Sequence, residues 1–218
     1  MSQALPPGQR FYELGDLLKA YTYTGFTFSD TTETPGPGLA SYLRISARDP
    51  ARATTALQQI DDLLSVGLFS DEIADEVEDM PHIRPPMGKS VDDCLRIVRG
   101  HLERLLQDPS QVPQMNPQNS WEWNERFPEL SQLLGAYFHR DFSNIYDSRD
   151  EALDEYVSES APEERAQGVR EIGELLTMVS SDQELHTAAT ALGLDLLPPN
   201  GMSLRQWLER IHQRIAAA

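Results

Sequence analysis

The chain is 218 residues long, 39% hydrophobic and 24% charged, with 35 acidic against 18 basic side chains and a net charge of −17. That content is globular rather than disordered, and the length allows two small cores or one shared one. A surface this negative argues against nucleic acid or an anionic membrane as a direct partner; it serves either solubility alone or the steering-in of a basic partner. The excess lies in both halves, 17 acidic against 10 basic over residues 1–110 and 18 against 8 over 111–218. One cysteine, Cys94, gives no intramolecular disulfide framework and no cysteine metal site. Residues 1–10 lack the basic-then-apolar pattern of a secretion signal, and no apolar run approaches a membrane span. A cytoplasmic location is therefore expected.

Residues 1–10 contain Pro and Gly and are expected to be a flexible N-terminus. Phe11, Leu14, Leu17, Leu18 and Tyr21 follow helical spacing and predict a helix over 11–21. Residues 22–37 alternate Thr with aromatics and run into Pro35-Gly36-Pro37-Gly38, which favours a loop over a short strand. A short helix is expected at 38–46. Asp49-Pro50 is a helix start, an N-cap followed by proline at the first position, and Gly67 is the stop. Ser70 caps the next helix, with Phe69, Ile73, Val77 and Met80 as its apolar stripe. Ser90 caps the last helix of the first half, which buries Val91, Leu95, Val98, Leu102, Leu105 and Leu106. Residues 107–126 hold three X-Pro steps and are expected as an extended linker, with Trp121 and Trp123 docked near its end. Helices are then expected at 127–139, 148–160, 162–179, 181–192 and 203–216.

The second set of helices repeats the first. Phe127-Pro128-Glu129-Leu130-Ser131-Gln132-Leu133-Leu134-Gly135-Ala136-Tyr137 matches Phe11 through Tyr21 at seven of eleven positions. The order continues: Phe26 with Phe142, Tyr42 with Tyr156, Ile60-Asp61-Asp62-Leu63-Leu64 with Ile172-Gly173-Glu174-Leu175-Leu176, and Pro85-Pro86-Met87-Gly88 with Pro198-Pro199-Asn200-Gly201. Ala161-Pro162 echoes Asp49-Pro50, and Cys94 falls on Trp207, which makes the cysteine a core filler rather than a nucleophile. The expected architecture is all-α, two tandem copies of a small five-helix bundle over 11–106 and 127–218.

Catalytic constellations are scarce. There is no Gly-rich phosphate loop, no His-Glu-x-x-His helix and no Gly-x-Ser-x-Gly elbow. His82, His101, His139, His186 and His212 are scattered, without the spacing of a helical metal pair. His101 and His212, in the two final helices, are expected at the surface or facing a partner rather than in a catalytic role. His139-Arg140-Asp141-Phe142, directly after Tyr137-Phe138, is the densest polar-aromatic cluster; Asp141 either ties down its loop or contacts a partner. Carboxylates gather twice, at Asp71, Glu72, Asp75, Glu76, Glu78 and Asp79, and at Asp147, Asp150, Glu151, Asp154, Glu155 and Glu159. Like charges at i,i+4 cost an isolated helix about 0.2–0.5 kcal/mol per pair. Few basic residues are interleaved, so each cluster is either a solvated face or a surface that a basic partner neutralises. Neither has the oxygen-ligand alternation of a calcium loop. No catalytic residue, metal or cofactor is expected.

Phe127-Pro128-Glu129-Leu130 through Tyr137-Phe138-His139-Arg140-Asp141-Phe142 resembles the opening of a family of contact-dependent growth inhibition immunity proteins. Asp150 to Val157, Glu171-Ile172-x-Glu174-Leu175-Leu176, and Pro198-Pro199-x-Gly201-Met202-Ser203-Leu204-Arg205-Gln206-Trp207-Leu208 are similar to its later blocks. The resemblance implies a helical, non-enzymatic protein, monomeric when free, that neutralises a cognate toxin by binding its C-terminal domain over the active site or substrate surface. The acidic charge fits a basic nuclease as that toxin. The expected contacts are Tyr137, Phe138, His139, Asp141, Phe142, Asp147, Asp150, Glu151, Asp154, Glu155 and Glu159, with Asp71, Asp75, Glu76, Glu78 and Asp79 in the first copy. An acidic interaction or scaffold module without a toxin partner is the competing class.

Overall fold

Helix starts in this chain are set by side chains that satisfy the free N–H groups of a first turn. A computed structural model describes residues 10–67, 70, 74–78, 80–81, 83–113 and 115–218, without the side chains of Asp75 and Glu76. It divides into two units, Met1–Glu122 and Trp123–Ala218. The first holds α1 (Tyr12–Thr22), α2 (Pro37–Ser46), α3 (Pro50–Val66), α4 (Ala74–Val77) and α5 (Val91–Gln107). The division falls within α6 (Ser120–Arg126). The second unit continues with α7 (Pro128–Gln132), α8 (Arg149–Glu159), α9 (Pro162–Met178), α10 (Asp182–Ala191) and α11 (Leu204–Ala216). Among the described residues there is no strand, only an isolated bridge between Thr27 and Arg84. The fold is all-α.

Asp49, Ser90 and Gly67 stand at helix ends as expected, and the start that Ser70 was expected to cap lies outside the described residues. Asp49 accepts from the Ala51 N–H at the start of α3, and Gly67, at φ +89°, ends that helix. Ser90 and Asp93 form a reciprocal capping box before α5, as Ser203 and Gln206 do before α11. The Thr/Pro/Gly loop after α1 is ordered by Asp30, which is 3% exposed; it accepts from Tyr21 Oη at 2.8 Å and from the Gly36 N–H. His101, expected at the surface, is buried instead; its Nε2 meets Thr31 O at 2.7 Å and its Nδ1 meets Arg104. A ring nitrogen on each side gives this histidine the work of holding the same loop. Phe69, Ile73 and His82 lie outside the described residues.

Two segments differ from expectation. Residues 107–126 are not extended throughout: a 3-10 turn forms at Pro109–Gln111 and the last seven residues are α6. Trp121 is buried in the core of the first unit and Trp123 in that of the second. The helix expected over 127–139 is α7 followed by a π-helical turn, Leu133–Tyr137. Gly135 in that turn backs onto Gly193, where a Cβ would lie 2.7 Å from Gly135 Cα; Gly193 also holds φ +97° to end α10. Only glycine fits both demands at 193.

Each unit closes on the same kind of buried bond. The Leu14 N–H in the first turn of α1 donates to Gln59 Oε1 of α3 at 2.8 Å. The Leu130 N–H in the first turn of α7 donates to Glu171 Oε2 of α9, also at 2.8 Å. Gln59 and Glu171 each stand nine residues after the proline that opens their 17-residue helix. Phe11, Leu14, Leu17 and Tyr21 fill the first core, and Phe127, Leu130, Leu133 and Tyr137 the second.

Glu171 is 2% exposed, and burial, acting most strongly, pushes its carboxyl above the ordinary value against the lowering effect of the Leu130 N–H. The unfolded chain titrates this group at its ordinary value and the folded chain at a higher one. Its contribution to stability is therefore full below the ordinary value and is lost as pH rises through the raised one. Glu171→Gln keeps the acceptor without the charge, so it should gain on the wild type as pH climbs from about 4. Glu171→Ala leaves the Leu130 N–H unpaired and should cost about 1–3 kcal/mol at neutral pH. Urea unfolding of both variants across pH measures the two effects.

Candidate functional site

The second acidic cluster lies on and just before α8. Ser148 starts the helix by accepting from the Glu151 N–H, and Glu151 reaches back to accept from the Asp147 N–H at 2.8 Å. From there the carboxylates part into two strips with different surroundings. Asp150 and Asp154 face α11, where Arg214 bonds both, at 2.6 and 2.5 Å, and Arg210 lies 3.8 Å from Asp150. The basic residues absent from α8 itself are thus supplied by another helix of the same unit.

Glu151, Glu155 and Glu159 face tyrosines instead. Tyr137 Oη donates to Glu159 at 2.9 Å. Tyr146 stacks on Tyr137 at 6.4 Å, and Tyr137 meets Tyr156 edge-on at 5.5 Å. Burial, then the bond to Glu159, pushes the Tyr137 hydroxyl up; burial, then Glu155, does the same to Tyr146. Both hydroxyls stay protonated at neutral pH and act as donors toward the carboxylates. Among the described residues no basic side chain pairs with Glu151, Glu155 or Glu159. This strip is a row of hydrogen-bond acceptors with spare negative charge, suited to an ammonium or guanidinium group.

The other expected contacts fall elsewhere. Phe138 is fully buried, its ring 5.1 Å from Trp207, and Phe142 is buried against Phe138 and Tyr146. These two rings fill the core and are not on the surface. His139 accepts at Nδ1 from the Asp141 backbone N–H at 3.1 Å, and the Asp141 carboxylate is exposed. The pair is a loop contact, not an acid–base couple. Asp71 and Asp79 lie outside the described residues, as do the side chains of Asp75 and Glu76; Glu78 is exposed. Cys94 is buried, and burial raises its thiol, which keeps it protonated and unreactive.

Sequence reasoning missed Arg210 and Arg214 as the neutralising residues. Their i,i+4 spacing on the polar side of α11 was the available signal. It also passed over Glu129 and Glu164, which flank Tyr156 in the same unit. Among the described residues no group of three or more His, Cys, Asp or Glu is placed to hold a metal ion, and no helix is long and apolar enough to cross a membrane.

The second unit is thus a small helical domain with an acidic strip that no basic side chain pairs with among the described residues, beside a tyrosine cluster. A comparison with family models gives the more particular result: residues 126–215 match the family described as CdiI immunity protein. The match covers nearly the whole of the second unit and does not extend into the first. No curated protein and no solved structure matches.

Arg214→Gln removes both close bonds to α8 and leaves Asp150 beside Asp154. These groups are largely exposed, so the loss of stability should stay below about 1 kcal/mol and shrink further in salt. Urea unfolding at low and high salt measures it; a loss of several kcal/mol would mean that α11 and α8 are held together by this pair rather than by their apolar faces.

Proposed function

We propose that this chain binds and neutralises a cognate contact-dependent growth inhibition toxin, a basic nuclease, by covering its active site or substrate-binding surface. The observation that carries the reading is the strip Glu151, Glu155 and Glu159, negative and without a cation of its own in a domain of the immunity family. A nuclease must hold phosphates, so its binding surface is basic and matches such a strip. Charge of this kind speeds encounter and sets register more than it adds raw affinity. The exposed contacts are then Glu151, Glu155, Glu159 and Asp147, with Tyr137 and Tyr146 beside them. Asp150 and Asp154, already bonded to Arg214, contribute less. The protein works without catalysis, cofactor or direct nucleic-acid contact, as a cytoplasmic monomer until the toxin arrives.

We also read the first unit as a divergent copy of the second. The shared sequence blocks support this, as do the matching 2.8 Å bonds from Leu14 to Gln59 and from Leu130 to Glu171. Glu78, exposed in this unit, is a further acidic contact for the same partner.

Co-expression with a cognate toxin domain tests the reading through growth rescue and co-purification. Association of the purified pair should slow by roughly tenfold or more as salt is raised from low to physiological. The triple variant Glu151→Gln, Glu155→Gln, Glu159→Gln should slow it at low salt, and Asp150→Asn with Asp154→Asn should slow it less. An association rate indifferent to salt removes the electrostatic part of the account.

A further inference from the structure

The two units treat one aligned position in opposite ways. In the first, Tyr42 is fully buried and its Oη donates to Glu13 at 2.7 Å. Arg52, two residues after the opening proline of α3, donates to the same Glu13 oxygen at 2.8 Å and lies 5.7 Å over the Tyr42 ring. Glu13 is 5% exposed beneath this arginine. Tyrosine, carboxylate and guanidinium make a closed set.

In the second unit the tyrosine and the carboxylate recur as Tyr156 and Glu129, and the arginine does not. The residue two places after the opening proline of α9 is Glu164. Tyr156 is fully buried, and among the described residues its Oη makes no hydrogen bond of normal geometry, the Ser160 hydroxyl being the polar side chain that favours its charged form. That oxygen points at the α9 backbone, where a Cβ on Gly168 would lie 2.9 Å from it and 3.9 Å from Glu129 Cβ. The Glu129 carboxylate has no ion pair or hydrogen bond among the described residues, and the residue is more open to solvent than Glu13. Burial, then the nearby Glu164, pushes the Glu129 carboxyl up, the mark of a negative site lacking its counter-charge. Glu171 adds a third carboxylate, already engaged with the Leu130 N–H and Gln167.

We propose that Glu129, Glu164 and the Tyr156 hydroxyl form a receptor for one arginine side chain of the bound toxin, which takes in trans the place that Arg52 fills in cis in the first unit. The guanidinium bonds Glu129 and Glu164 above the buried Tyr156. Drawn by that charge, Glu129 turns to accept from Tyr156 Oη, as Glu13 accepts from Tyr42. The toxin residue thereby completes a bonding set that the free domain leaves one member short. The first unit, with its own arginine already seated, cannot take the guest, so the two units divide the work. This site rests on the toxin-binding reading above and sits apart from the Glu151, Glu155 and Glu159 strip in residue content.

The test uses the full chain and its cognate toxin domain. Glu164→Arg supplies the missing cation from within; it should raise the thermal unfolding midpoint of the free protein and weaken toxin binding by roughly thirtyfold or more. Glu129→Gln and Tyr156→Phe should each weaken binding by about tenfold or more while the free protein stays folded by circular dichroism. The Phe variant separates a bond made only in the complex from a merely structural hydroxyl, which would move stability and leave affinity alone. If Glu164→Arg does not fold, these two variants decide. Wild-type affinity in both overturns the receptor and leaves toxin binding by the acidic strip standing. Absence of any binding by the wild type overturns the toxin-binding reading itself and the receptor with it.

Discussion

A buried side-chain oxygen on one long helix receives the first-turn N–H of another, once in each unit, and the arrangement of both units follows from that bond. Gln59 holds Leu14, and Glu171 holds Leu130. A first-turn N–H taken out of water without an acceptor is costly, so the long helix must stand at one height against the short one. That height sets which side chains of the short helix reach the core, Leu14, Leu17 and Tyr21 in one unit, Leu130, Leu133 and Tyr137 in the other. It also brings Glu13 under Arg52 and Glu129 near Glu164. The amide acceptor of the first unit carries no charge; the carboxylate of the second does, and its burial raises the proton affinity of that domain's centre.

Charge is sorted more finely than composition suggests. The acidic helix α8 spends one strip on its own fold, through Arg214 and Arg210, and leaves the other without a basic partner among the described residues. The same sorting appears around Tyr156, where Glu164 stands two residues after the opening proline of its helix, the place Arg52 holds in the first unit. A protein that neutralises a basic partner gains from keeping such charge unspent in the free state, because desolvation is then offset by the partner's cation in the complex.

Much of this was legible in the sequence. Asp49-Pro50, Ser90 and Gly67 marked helix ends through chemistry confined to a turn, and those ends fall where the turn chemistry puts them. The apolar spacing of Phe127, Leu130, Leu133 and Leu134 gave the core face, but not the π-helical turn, which depends on Gly193 some sixty residues on in the chain. His101 was misplaced because a histidine on a charged helix reads as exposed; its partner Thr31 lies in a loop that periodicity does not describe. Phe138 and Phe142 followed a polar cluster in sequence, and nothing local revealed that both rings turn inward onto Trp207 and Tyr146. The pairing of Asp150 and Asp154 with Arg214 is a contact across sixty residues, out of reach of any i,i+4 count on α8 alone.

The most direct test is amide hydrogen exchange of the full chain, alone and with the proposed cognate toxin domain. The account predicts added protection in the second unit over α8 and at the starts of α7 and α9, where Glu129 and Glu164 lie. Protection that leaves these three segments unchanged while appearing elsewhere would contradict it.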